Sequence, residues 1–222
     1  MSPRRPKVTD EEVFAAAGRV MSRVGPAQLM LADIAAEAGV TAGALVQRFG
    51  SKRELLLALT ARAAQSTRAF FAGLRGAHGS PLAALFAYSD CFAAMGASPG
   101  ALAHNLGYLQ LDLTDPDFHR HTLAQARATS NALRRLLDDA VAAAELDPTV
   151  DTRMLARTVQ VTLSGSLMTW AFYRNGPAAR WVRDDLDAVL APHLARPADA
   201  VSSRRSSRRR APRSRASGGG AP

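Results

Sequence analysis

The sequence predicts an all-α fold, and three observations carry that prediction. Alanine is abundant while β-branched residues form no alternating runs, so local preference favours helix nearly throughout. Apolar residues recur at helical spacing, as in Val13, Phe14, Ala17, Val20, Met21 and Val24, which together make one buried stripe. Start and stop signals punctuate the chain: Thr9, Ser51 and Asp151 stand where a helix can open, and Gly25-Pro26, Gly79-Ser80-Pro81 and Asn175-Gly176-Pro177 where one must end. With 222 residues, the chain can hold one large domain or two small ones around a real core.

Residues 1–8 are proline-rich and basic and read as a flexible arm, in which Arg4, Arg5 and Lys7 can follow a polyanion; a merely solvated terminus is the plain alternative. Thr9 caps a helix over 10–24, with Asp10, Glu11 and Glu12 at its positive end. The next stretch, 31–49, organises the rest. Ile34, Ala35 and Ala38 give a short helix a small apolar face, and Gly39 can take the positive φ that a sharp corner needs. Val40 packs into the corner, Thr41 caps a second helix, and Leu45 and Phe49 turn inward at i, i+4 spacing. The unit reads as a helix-turn-helix rather than an ordinary corner of two packed helices. In such a unit the second helix, here about 42–48, lies in the DNA major groove and presents its N-terminal residues to the bases. Ser51, with Glu54 three residues on, predicts a capping box and an immediate new helix over 52–74, about 35 Å long at 1.5 Å per residue.

Beyond it, Gly73, Gly76 and Gly79 break the chain and Pro81 restarts it. Residues 82–95 are apolar almost all round, the mark of a helix buried inside a domain. Further helices follow over about 100–111, 116–145, 151–173 and 178–194. The count is about nine, three in front and six behind. From Arg196 onward the chain is Arg, Ser, Ala, Gly and Pro without apolar period, which predicts a disordered basic tail. Four segments result: a basic arm 1–8, a three-helix helix-turn-helix domain 9–52, a helical domain 53–195 and a tail 196–222.

The net charge of +9 is uneven. Residues 1–53 hold 8 basic and 5 acidic groups, 54–195 hold 12 and 13, and 196–222 hold 8 and 1. A polyanion is therefore met at the ends. The tail's Arg204-Arg205 and Arg208-Arg209-Arg210 add non-specific, salt-sensitive affinity. A single cysteine, Cys91, excludes an internal disulfide, fits a reducing cytoplasm and reads as a buried small hydrophobe. No apolar run reaches the ~18 residues of a membrane span and no leader opens the chain, so a cytoplasmic, nucleoid-associated protein is expected. No catalytic constellation stands out: there is no Gly-rich phosphate loop, no G-x-S-x-G and no paired cysteines. His119 and His121 sit at i, i+2, so their imidazoles diverge on a helix; no metal, cofactor or enzyme activity is expected.

The glycine of V-G-P-A, the run I-A-A-E-A-G-V-T-A-G-A-L and the run F-G-S-K-R-E-L-L resemble the tetracycline-repressor (TetR/AcrR-like) family of transcription regulators over about residues 10–58. Four residues depart from the family pattern. Val46 stands where the family has tyrosine, Arg48 where it has histidine, and Leu29 and Met30 where it has serine or threonine; these positions usually contact phosphate, and Arg48 can replace one such contact. The resemblance implies a homodimeric, sequence-specific regulator on a palindromic operator, a repressor released by a small-molecule ligand. The expected DNA contacts are Arg4, Arg5, Thr41, Ala42, Gly43, Gln47, Arg48, Lys52 and Arg53. A ligand pocket is expected among Phe70, Phe86, Tyr88, Met95, His104, Asn105, Tyr108, Thr122, Gln125, Ser164 and Met168, aromatics and methionines mixed with isolated polar groups on otherwise apolar faces. The last two helices would form the dimer interface through Leu155, Val159, Thr162, Gly165, Ser166 and Thr169 on one, and Trp181, Leu186, Val189 and Leu190 on the other. Two other readings follow from the same residues: a non-specific, nucleoid-like DNA binder driven by the basic ends, or a small helical ligand-binding protein or enzyme.

Overall fold

The computed structural model describes residues 8–96 and 98–195; Arg4, Arg5 and the tail lie outside the described residues. Among these, nine α-helices follow one another: α1 (Asp10–Arg23), α2 (Leu31–Ala38), α3 (Ala42–Phe49), α4 (Lys52–Ala77), α5 (Pro81–Ala93), α6 (Pro99–Thr114), α7 (Pro116–Ala142), α8 (Thr152–Tyr173) and α9 (Ala178–Leu190). No strand is present among the described residues beyond one isolated bridge, Leu146 to Leu194, which ties the end of the helical body to the α7–α8 loop.

Local chemistry explains the boundaries. Thr9 and Glu12 make a reciprocal capping box, the Glu12 carboxylate accepting from the Thr9 backbone N–H at 2.7 Å. Gly39 ends α2 at φ 70°, the left-handed region, and so allows α3 to begin three residues later behind the Thr41 cap. Ser51 Oγ accepts from the Glu54 N–H and opens α4. Serine or aspartate caps followed by proline at the first helical position open α5, α6 and α7. α4 runs straight through Gly73 and Gly76, contrary to the expected break, because its last turns rest on the interior through Phe71 and Leu74.

Two apolar cores result. The first joins Val13, Val20, Leu29, Ile34, Leu45 and Leu55 of the N-terminal bundle to Tyr108 of α6 and Phe118 of α7. The second gathers Phe71, Leu85, Leu133, Leu137, Leu163 and Leu186. Each such side chain contributes roughly 1.5–3 kcal/mol by leaving water. Helices α4 and α7 lie side by side and run the same way: Arg53 meets Asp115 and Asp117 at one end, and Arg75 Nε meets Asp139 at 3.0 Å at the other. The N-terminal bundle is thus seated on α6 and α7 and is not carried by α4 alone. Close approach is required there, since a Cβ on Gly107 of α6 would fall 2.9 Å from Pro26 Cδ. Cys91 corrects one expectation: it is exposed on α5, whose apolar composition hides which side faces out.

Candidate nucleic-acid interface

Helix α3 is fixed from beneath and free above. Leu45 is 1% exposed and anchors it in the first core, while Thr41, Gly43, Val46, Gln47 and Arg48 are exposed and Ala42 is half-buried. Thr41 spends its side-chain oxygen on the Ala44 N–H, 3.1 Å away, and keeps its hydroxyl proton for another partner. Met30, at the N-cap of α2, is exposed, and its backbone N–H is satisfied by Asp33 at 3.2 Å. The Asp33 carboxylate supplies only that half of a capping box, and the Asp33 N–H is met by the Met30 carbonyl at 3.2 Å instead of by a side chain.

The cations beside α3 have partners inside the chain, which no spacing rule reveals. Arg48 is ion-paired to Asp10, donates to the Val8 carbonyl at 2.7 Å and lies 5.5 Å from the Phe49 ring centre. It fastens α3 to the start of α1. Lys52 Nζ donates to the carbonyls of Leu29 at 3.0 Å and Pro26 at 3.4 Å, closing the α1–α2 loop over α4. Arg53 reaches Asp115 at 2.8 Å and Asp117 at 2.9 Å and packs 5.6 Å from the Phe118 ring centre. The guanidinium holds the Asp115 carboxyl below its ordinary range. Two further arginines, Arg19 and Arg23, converge on Glu37 at 2.6 and 2.8 Å, bind α1 to α2 and hold that carboxyl low as well.

A cleft of about 630 Å³ opens behind this interface, between α1, α4, α6 and α7. Phe14, Leu59, Phe70, Tyr108 and Phe118 supply apolar wall, and Gln125 and Asp112 supply polar groups. Burial pushes the Asp112 carboxyl up, with the Thr122 hydroxyl acting in the opposite sense. Burial also pushes the Tyr108 phenol up to about 12, and its hydroxyl donates to the Val24 carbonyl at 3.3 Å. Of the residues expected to form a pocket, Phe70, Tyr108 and Gln125 line this cleft. The others lie elsewhere. Tyr88 packs among Phe70, Phe71 and Phe92, and Arg183 covers Phe86. Asn105 donates to the Met95 carbonyl at 3.0 Å, and the His104 ring faces the Ser22 carbonyl at 3.4 Å. Ser164 and Met168 sit on the exposed side of α8.

The expected dimer row also shifts around α8 and α9. Leu155, Val159, Ser166, Leu186 and Leu190 are buried in the subunit's own core and have no surface to offer a partner. Ser166 is bonded to Asp185 instead. Gly165 and Thr169 are exposed, and Thr162, Trp181 and Val189 are half-buried. The open side of α8 carries Met154, Val161, Met168 and Phe172, which are 58, 64, 47 and 81% exposed. Sequence reasoning missed this stripe because its neighbour on the same helix is equally apolar.

The fold and the free outer face of α3 define a class: a helix-turn-helix module seated on a larger helical body. Residues 13–59 match the family described as "Bacterial regulatory proteins, tetR family". No curated protein matches the chain at a significant level. Among solved structures, a TetR transcription regulator from Haloarcula marismortui superposes with TM-score 0.66 at 16% identity, covering 83% of this chain and 97% of its own. A TetR-family regulator from Agrobacterium tumefaciens gives 0.65 at 21%, covering 84% and 97%. SmeT, the repressor of a multidrug efflux pump in Stenotrophomonas maltophilia, gives 0.60 at 22%, covering 86% and 93%. The resemblance to the tetracycline-repressor family therefore holds in sequence over the helix-turn-helix and in fold over the helical body. The fold is the one these regulators share. No described helix is long and apolar enough to cross a membrane.

Proposed function

We propose that the chain is a homodimeric, sequence-specific transcription regulator, a repressor that leaves its palindromic operator when a small, largely apolar ligand fills the cleft. The observation that carries this reading is the outward face of α3, where Gly43, Val46 and Gln47 stand exposed around a buried Leu45. A glutamine there can pair with the adenine edge and a valine can meet a thymine methyl, while the tyrosine's usual phosphate contact is lost. Thr41, Ala42 and the N-terminal turn of α3 approach the phosphates, and residues 1–8 extend the contact along the backbone. In this division of labour residues 9–52 bind DNA, while 53–195 dimerise and receive the ligand.

Dimerisation uses the open stripe of α8 together with α9, because four large apolar side chains in one row have no cover within the subunit. Two-fold symmetry then sets the two α3 helices roughly 34–36 Å apart, one turn of DNA. Ligand release runs through α1. The cleft touches Glu11 and Phe14, and the residue before them, Asp10, holds Arg48 of α3. Filling the cleft moves α1 against α4 and so re-aims α3. A useful release needs a ligand preference of about 1–3 kcal/mol for the non-binding state. The test is a pair of titrations, ligand into free protein and ligand into the protein–DNA complex. Weaker binding to the complex is expected, whereas equal affinity excludes that compound as the inducer.

A further inference from the structure

On the pair α4 and α7 lies a second groove, of about 760 Å³, whose walls carry four arginines, Arg68, Arg75, Arg127 and Arg135, against one carboxylate, Asp139. Its floor is apolar and belongs to the interior: Phe71 is 5% exposed and Leu136 is 4% exposed. Arg75 is neutralised by Asp139 at 3.0 Å. Arg68, Arg127 and Arg135 have neither a hydrogen bond nor an ion pair among the described residues. Arg127 also borders a neighbouring depression with Ser130, Arg153 of α8 and Arg134, the last paired with Asp138 at 3.5 Å. This concentration is invisible in the sequence, where residues 54–195 carry 12 basic and 13 acidic groups. Folding separates charges that the chain interleaves.

We propose that this groove binds an organic phosphate or diphosphate attached to an apolar body. The number and shape of the donors select such a ligand. A guanidinium presents a planar fork that matches phosphate oxygens two at a time, and one carboxylate cannot serve three such forks at once. A phosphate or diphosphate offers enough acceptors to bridge them. The Phe71 and Leu136 floor gives an apolar body something to cover, and the volume lies in the ordinary range for small-molecule sites. DNA held by α3 does not account for the arginines. Arg68 is sixteen residues along α4 from Lys52, roughly 24 Å at 1.5 Å per residue, against a Debye length of about 8 Å in physiological salt. The proposal is independent of the operator reading and stands or falls without it.

The test is calorimetric titration of the full chain with dodecyl phosphate below its micelle concentration. Inorganic phosphate serves as the headgroup alone and dodecyltrimethylammonium as the charge-reversed control. One dodecyl phosphate per chain is expected. Inorganic phosphate should bind at least tenfold more weakly, and the cation should not compete. Arg127→Ser with Arg135→Ser should weaken dodecyl phosphate at least tenfold while the helical circular dichroism is unchanged, and Arg68→Gln alone should weaken it several-fold. Unchanged binding in both variants, or equal binding of the cation, overturns the proposal and leaves solvated surface arginines. Stoichiometric displacement of dodecyl phosphate by random-sequence duplex DNA also overturns it, by making the groove a nucleic-acid surface.

Discussion

At the scale of single residues, the corner between α2 and α3 and the Arg53 junction make the sharpest demands. Gly39 holds φ 70° with open space where a Cβ would be, so an alanine there meets backbone strain and no clash. Gly39→Ala should cost about 1 kcal/mol of unfolding free energy in urea melts. A variant as stable as the parent would contradict the corner. Asp115 titrates low because Arg53 favours its charged form. A carboxylate whose folded pKa is depressed contributes stability above its unfolded pKa, near 3.9, and loses it as pH falls through the folded value. Asp115→Asn should therefore lower Tm at pH 7, and the difference from the parent should vanish in acid, once the pH has fallen below the depressed folded value. A gap that persists there would mean that the pair does not hold the junction. Asp112 has the opposite sign, because burial raises it. Asp112→Asn should raise Tm at pH 7 and change little where the parent's carboxyl is already protonated. A lower Tm at neutral pH would show that the carboxylate, not its burial, is what the cleft needs.

At the scale of elements, α4 and α8 show what sequence can and cannot reveal. Both were legible as helices from period and caps, with ends displaced by a few residues. Their faces were not equally legible. On α8, Leu155 and Val159 point inward while Val161 and Met168 point out, and nothing in hydrophobicity separates the two rows. Only packing against α9 and α7 decides. The same holds for the basic residues after α3. Arg53 looked like a phosphate contact by position, yet its partners lie 62 and 64 residues away, on the far side of two helices. Lys52 likewise serves the α1–α2 loop. Lys52→Ala should accordingly lower Tm and DNA affinity together, as removal of a clamp does. A mutant that loses one unit of salt slope at unchanged Tm would instead make Lys52 a direct phosphate contact.

At the scale of the whole molecule, the helix-turn-helix was legible because its corner, caps and apolar positions are local, within 31–49. The seating of that module on α6 and α7 was not, since Tyr108 and Phe118 enter its core from distant sequence. The cleft was legible only through Phe70, Tyr108 and Gln125, for the same reason: α1 forms one of its walls, and the sequence places α1 in the other domain. Association is the remaining whole-molecule property. Val161→Asp with Met168→Asp puts four carboxylates across a two-fold interface, two from each copy, and should shift sedimentation from dimer to monomer. A double variant that remains dimeric would place the interface on another face.

Selection of duplexes from a random-sequence DNA pool, followed by sequencing, tests the central claim most directly. An inverted repeat should be enriched, with half-site centres about 10 base pairs apart or a multiple of that. Gln47→Ala should relax the preference at one position of each half-site while leaving the spacing intact. A pool that emerges with no preferred sequence, or one bound equally well by the parent and Gln47→Ala at every position, would contradict it.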